Sequence, residues 1–156
     1  MAAIINPKLM STVKYLLILC FSLAASLTTF AGAATNDTAT VQGSWKPAVA
    51  ELGGHPMSEA LLKTISLKLD DGKYEVFVGT EPDRGTYTID PTTTPKQMTI
   101  KGTEGPNHGR TFPAIYEISG DTLRICYDLS GANIPATFKT MAGTKLYLVT
   151  YQRVKP

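Results

Sequence analysis

Cysteine, histidine and tryptophan are nearly missing from this chain: 156 residues carry two, two and one of them. Each scarcity excludes something. Cys20 falls inside an N-terminal apolar run, so Cys126 stands alone in the rest of the chain and no intramolecular disulfide framework can hold the fold. A single thiol with no catalytic partner nearby in sequence reads as a small hydrophobe. His55 and His108 both sit in Gly/Pro-rich segments, and neither has a second ligand at a spacing such as H-x-x-x-H, so no metal site is predicted. There is no G-x-S-x-G elbow, no phosphate-cradling glycine loop and no converging acid–base group, hence no catalytic residue and no cofactor to nominate. Charge is also sparse, at 18% of residues with a net of +2, and without a basic run the chain lacks the footprint of nucleic-acid binding.

What is present begins with an export pattern. Lys8 and Lys14 precede the apolar run Tyr15 to Phe30, followed by Ala31-Gly32-Ala33. A basic n-region, an apolar h-region and an A-x-A site predict a signal peptide over 1–33, cleaved after Ala33, with Met10 as a second candidate start. The alternative is an uncleaved anchor, although the run has 16 residues where a span needs roughly 20. Lipidation at Cys20 is rejected because Leu19 is too large for that processing site. Losing Lys8 and Lys14 reduces the 15 basic residues to 13, equal to the 13 acidic ones. The expectation is a secreted or periplasmic mature chain, formally neutral, with a flexible tail over 34–40, a domain over 41–156 and no stable membrane span after cleavage.

From Val41 onward, short runs with period-two alternation recur between Gly, Pro, Asp and Asn breaks. Strands are predicted at Val41–Glu51, Ile65–Asp70, Lys73–Gly79, Arg84–Asp90, Lys96–Lys101, Thr111–Ser119, Thr122–Leu129 and Lys145–Val154. One short helix, Met57–Thr64, follows the first strand, with Ser58 as its cap and Leu61 and Leu62 to one side. A short extended piece is expected at Ala136–Lys139 inside the long connection 130–144. Each strand has one apolar and one polar face, which suits an antiparallel sheet wetted on one side. The fold class is therefore all-β: an eight-stranded antiparallel up-and-down barrel whose closure removes both edges, with a two-sheet sandwich as the rival.

Gly43-Ser44-Trp45 heads the first strand, and Arg153 stands near the end of the last. This G-x-W with a late basic residue resembles the barrel closure of lipocalins, in which the indole seals the floor beneath a guanidinium. The stretches VQGSWK, GGHP, DGKY, GTYTIDP, GPNHGRT, IYEISGDTLRICY and QRVK, spread from Val41 to Lys155, resemble more closely an uncharacterised lipocalin-like, calycin-type domain family. That family is abundant in secreted proteins of planctomycete-type bacteria. The resemblance implies a lipocalin-like barrel closed by Gly43, Trp45 and Arg153. It carries no activity and no catalytic residues.

Two sites follow from the barrel. Leu67, Leu69, Tyr74, Val76, Tyr87, Met98, Phe112, Tyr116, Ile118, Ile125 and Tyr127 are predicted to line its interior, together with Val78, Ile89, Ile100 and Leu123. Tyrosines among aliphatic walls suit a small hydrophobic or amphipathic ligand, while the alternative is that side chains fill the interior. The inward face of the last strand is open, with Leu146 and Leu148 competing against Tyr147, Val149 and Tyr151. Glu104, Asn107, His108 and Arg110 form a candidate rim loop, either for recognition of an envelope or extracellular protein or as a solvated turn.

Overall fold

Alternation of this kind gives each strand a face to bury, and the chain buries it by rolling up. The computed structural model describes residues 36–155; the predicted signal peptide lies outside them. In chain order the elements are α1 (Asp37–Thr40), β1 (Gly43–Leu52), β2 (His55–Pro56), α2 (Glu59–Leu62), β3 (Ile65–Asp70), β4 (Lys73–Val78) and β5 (Glu81–Asp90). They continue with β6 (Lys96–Glu104), β7 (Thr111–Ser119), β8 (Thr122–Asp128) and β9 (Leu146–Arg153). The order is β2-β1-β3-β4-β5-β6-β7-β8-β9, and β1 also pairs with β9. The result is a closed eight-stranded antiparallel barrel, with β2 as a two-residue extra strand folded back on β1. A sandwich with free borders is excluded by the β1–β9 pairing.

Closure fixes the register: Trp45 stands opposite Leu67 on one side and Arg153 on the other. Leu52, at the far end of β1, stands opposite Tyr147. The barrel therefore has a Trp45 end and a Tyr147 end. Most of the expected core residues, Ile100 and Leu123 among them, are buried, and Val76, Ile89, Ile118 and Tyr127 are partly buried against them. On β9 the interior face belongs to Tyr147, Val149 and Tyr151. Val78 is an exception, half exposed where β4 reaches the barrel's rim.

Several local expectations need correction. β5 and β6 are each longer than predicted, since Gly85 and Gly102 face one another and interrupt the side-chain alternation. Gly85 permits this contact because a Cβ there would overlap the Lys101 carbonyl and press on the Tyr74 ring. The helix shortens to Glu59–Leu62 with Ser58 as its cap, and Leu62 is buried while Leu61 is exposed. No strand forms at Ala136–Lys139.

Instead, 130–144 lies as a strap over the outer face of the sheet. Arg124 donates to the Phe138 carbonyl at 3.2 Å and packs over the Phe138 ring, while Thr140 bonds to Glu51. Ile115 and Cys126, which alternation points outward, are fully buried, with Lys139 of the strap 3.9 Å from the Cys126 sulfur.

The flexible tail expected at 34–40 is ordered where it is described. Asn36 caps α1 by accepting from the Ala39 N–H, and Asp37 is 1% exposed. Its carboxylate accepts from Lys96 Nζ at 2.6 Å and from the Tyr116 hydroxyl at 2.8 Å. Small polar residues read as a tail because the partners that order them lie 59 and 79 positions away.

Candidate functional site

The Trp45 end is sealed by the chain itself. Trp45 is fully buried and donates from Nε1 to the Val41 carbonyl at 3.0 Å. The Arg153 guanidinium lies 4.2 Å from the indole centroid, a cation–π distance. Its Nη1 and Nη2 donate to the carbonyls of Gln42 and Thr40, both at 2.6 Å, and its Nε lies 3.3 Å from Asp121. The planar fork of one arginine thus ties the last strand to the end of α1 and to Gln42 just beyond it. Gly43 makes room for it: its φ is +127°, and a Cβ would stand 2.7 Å from Arg153 Nη1. The structure brings Gly43, Trp45 and Arg153 into one cluster.

At the other end the barrel holds a cavity of about 130 Å³. Leu67, Leu69, Tyr74, Val76, Met98, Phe112, Ile125 and Tyr127, all expected to face inward, line it. Tyr87, Tyr116 and Ile118 do not. Tyr87 is packed into the core, Tyr116 reaches Asp37 at the closed end, and Ile118 lies further along β7 toward that end. The interior is therefore mostly filled by side chains, and the void is confined to the Tyr147 end.

Ile100, Asp83, Asn107, Leu129, Tyr147 and Tyr151 complete the wall. Of these, Asp83 is the residue the sequence reading missed outright. Extending the Tyr87–Ile89 alternation backward would have turned it inward, but Glu81-Pro82-Asp83 reads as a turn. Asp83 is 6% exposed, and its carboxylate accepts three hydrogen bonds. They come from the Tyr74 hydroxyl at 2.9 Å, the Asn107 backbone N–H at 3.0 Å and the Asn107 side-chain amide at 3.0 Å. All three partners donate, the pattern that holds a carboxylate in place.

The phenols form a second cluster. Tyr127 and Tyr147 stack with ring centroids 5.7 Å apart, and Tyr151 lines the same cavity. Burial pushes the Tyr147 phenol up to about 12, and pushes Tyr127 and Tyr151 higher. Tyr74 is raised first by burial and then by its bond to Asp83. These hydroxyls stay protonated and remain donors.

The rim loop divides in its roles. Asn107 belongs to the cavity wall through Asp83. Arg110 donates to the Leu129 carbonyl at 2.8 Å and lies over the Phe112 ring, so it fastens the loop to the barrel. Glu104 pairs with Arg84 on the outer face, and His108 is exposed. Among the described residues, no three His, Cys, Asp or Glu side chains come together as metal ligands, and no helix is long and apolar enough to cross a membrane. A scan of protein-family models, a search of curated proteins and a search of solved structures each find no match to this chain.

Proposed function

We propose that this chain is an exported, lipocalin-like binding domain, without catalysis of its own, that accepts a small apolar or amphipathic group in the mouth of its barrel. The single observation carrying this reading is the cavity of about 130 Å³, walled by aliphatic side chains and tyrosines and placed at the unsealed end. Its size narrows the ligand. Pockets for drug-sized molecules run to about 300–1,000 Å³, whereas a cavity of about 150 Å³ holds benzene. One aromatic ring or a short branched alkyl group suits it, and a long acyl chain does not. The Trp45–Arg153 geometry supports the lipocalin-like reading, and the apolar run before Ala33 supports export to a secreted or periplasmic location.

Chemical-shift titration of the ¹⁵N-labelled chain with benzyl alcohol and with dodecanoate tests the reading. Benzyl alcohol is expected to shift the amides of Met98, Ile125, Leu129 and Tyr147 saturably, and dodecanoate to leave them unmoved. No response to either probe, or tighter binding of dodecanoate, overturns it. The small void also favours a second reading, in which the rim around Glu104 and His108 meets an envelope or extracellular protein. A stoichiometric protein partner in native mass spectra, with the cavity unresponsive, would support that one.

A further inference from the structure

The cavity's charge is one-sided. Asp83 is the single charged side chain in its wall, and among the described residues no Lys, Arg or His forms an ion pair with it. A carboxylate drawn out of water this far is costly unless something positive compensates it. Its three donors are all neutral groups, so they satisfy its hydrogen-bonding capacity without cancelling its charge. Tyr74 bonds to it directly, and the rings of Tyr127, Tyr147 and Tyr151 line the same cavity. The face of a phenol ring is electron-rich and attracts a cation within about 6 Å. Carboxylate and aromatic faces therefore select for the same sign of ligand.

One group opposes this. The Arg110 guanidinium lies over Phe112 on the rim and bonds to Asn107 Oδ1 at 3.3 Å. Arg110 is exposed, so solvent and salt screen it, while Asp83 acts from a site where the effective dielectric constant is lower. The buried charge outweighs the wet one.

Building on the binding role proposed above, we propose that the ligand is a small organic cation: an ammonium on one ring or a short alkyl group, held between the Asp83 carboxylate and the tyrosine faces. The ring or alkyl group fills the void below. Asn107 fixes the carboxylate from the rim loop, and Tyr74 fixes it from β4.

Three isosteric probes test this on the unaltered chain: benzylamine, benzyl alcohol and benzoate, compared by titration calorimetry at neutral pH and low salt. Benzylamine is expected to bind about tenfold or more tightly than benzyl alcohol, with benzoate weakest. Asp83→Asn is expected to bring benzylamine down to the affinity of the alcohol, and the comparison on the unaltered chain decides the matter even if that variant does not fold. Equal affinities for amine and alcohol, or tighter benzoate, overturn the cation assignment while leaving the cavity as a binding site. Failure of all three to bind overturns the cavity reading itself.

Discussion

At the Trp45 end of the barrel, each polar side chain in the seal is aimed at another part of the same chain: Arg153 at Thr40 and Gln42, Asp37 at Lys96 and Tyr116, the indole N–H at Val41. At the Tyr147 end, a carboxylate and four phenols surround a void. Both ends set a buried acid among aromatic rings, Asp37 in the seal and Asp83 in the cavity wall. In the first the acid has a lysine partner; in the second it has only neutral donors. A satisfied polar cluster rigidifies, whereas an uncompensated one is free to meet a ligand. Substitutions at the first end are thus expected to cost stability, and those at the second to cost binding.

The largest effect expected is from Trp45→Ala, about 3–5 kcal/mol for a fully buried indole. That is a large share of the roughly 5–15 kcal/mol that holds a domain together. Tyr147→Ala removes a partly buried ring beside a void that already exists, and is expected to cost about half as much. Urea unfolding of the two variants side by side checks this, and equal losses would break the distinction between the ends.

Next come the residues that fasten the seal. Arg153→Ala removes two charge-assisted hydrogen bonds and the stacking on Trp45, and is expected to cost about 2 kcal/mol, since the carbonyls it leaves can reach water. Arg153→Lys is expected to recover only part of this, because an ammonium cannot reproduce the fork to both carbonyls. Gly43→Ala forces a strained φ and a clash with the guanidinium, at about 1–3 kcal/mol. Thermal unfolding ranks the three. A neutral Gly43→Ala would show that Arg153 swings away without loss, and the seal would then rest on the indole alone.

How much of this was legible in the sequence differs between the ends for a physical reason. Trp45 and Arg153 are recognisable because a rare residue at the head of the first strand and a base near the end of the last are brought level by barrel closure. The interior positions from Leu67 to Tyr127 followed from alternation, a property local to each strand. Asp37, by contrast, sits in a polar stretch whose partners Lys96 and Tyr116 lie far away in sequence. Asp83 was hidden by a Pro in the preceding position and by Gly85, which removes the side chain that would have continued the pattern. The void itself is a matter of packing volume, which no pattern of single residues encodes.

Acid is expected to separate the two ends more gently. Lys155 and then Arg153 hold the Asp121 carboxyl below its usual range at the sealed end. Near the Tyr147 end, burial works against the charged form of Asp128, but it is outweighed by bonds from the Ser130 hydroxyl and the N–H groups of Asn133 and Ser130. A carboxyl lowered in the folded state adds stability that is present above its unfolded value, near pH 4, and lost as pH falls through the folded one. Unfolding curves below pH 4 are expected to flatten in Asp121→Asn at low salt only, because that ion pair is exposed and screened. Asp128→Asn is expected to flatten them at any salt, since its partners are dipoles at contact distance. Identical salt responses would show that both carboxylates are held by long-range charge.

The smallest effect expected is the most specific to the comparison. Tyr116, bound to Asp37 at the sealed end, and Tyr147, in the cavity wall, are both raised above the usual tyrosine value near 10, with burial the largest cause in each. Raised acids of this kind stabilise the fold fully below pH 10, and that contribution is lost as pH rises through the folded values. Both are expected to ionise only well above pH 10 when tyrosine ring carbons are followed by NMR. A neutral ring in the cavity displaces water from Tyr147 and is expected to raise it further, because desolvation disfavours the phenolate. Benzylamine is expected to raise it less, since a nearby cation favours that same phenolate. Tyr116 is expected to move with neither probe. A shift of Tyr116 on binding would mean that the two ends are coupled through the core, and that the seal responds to what occupies the mouth.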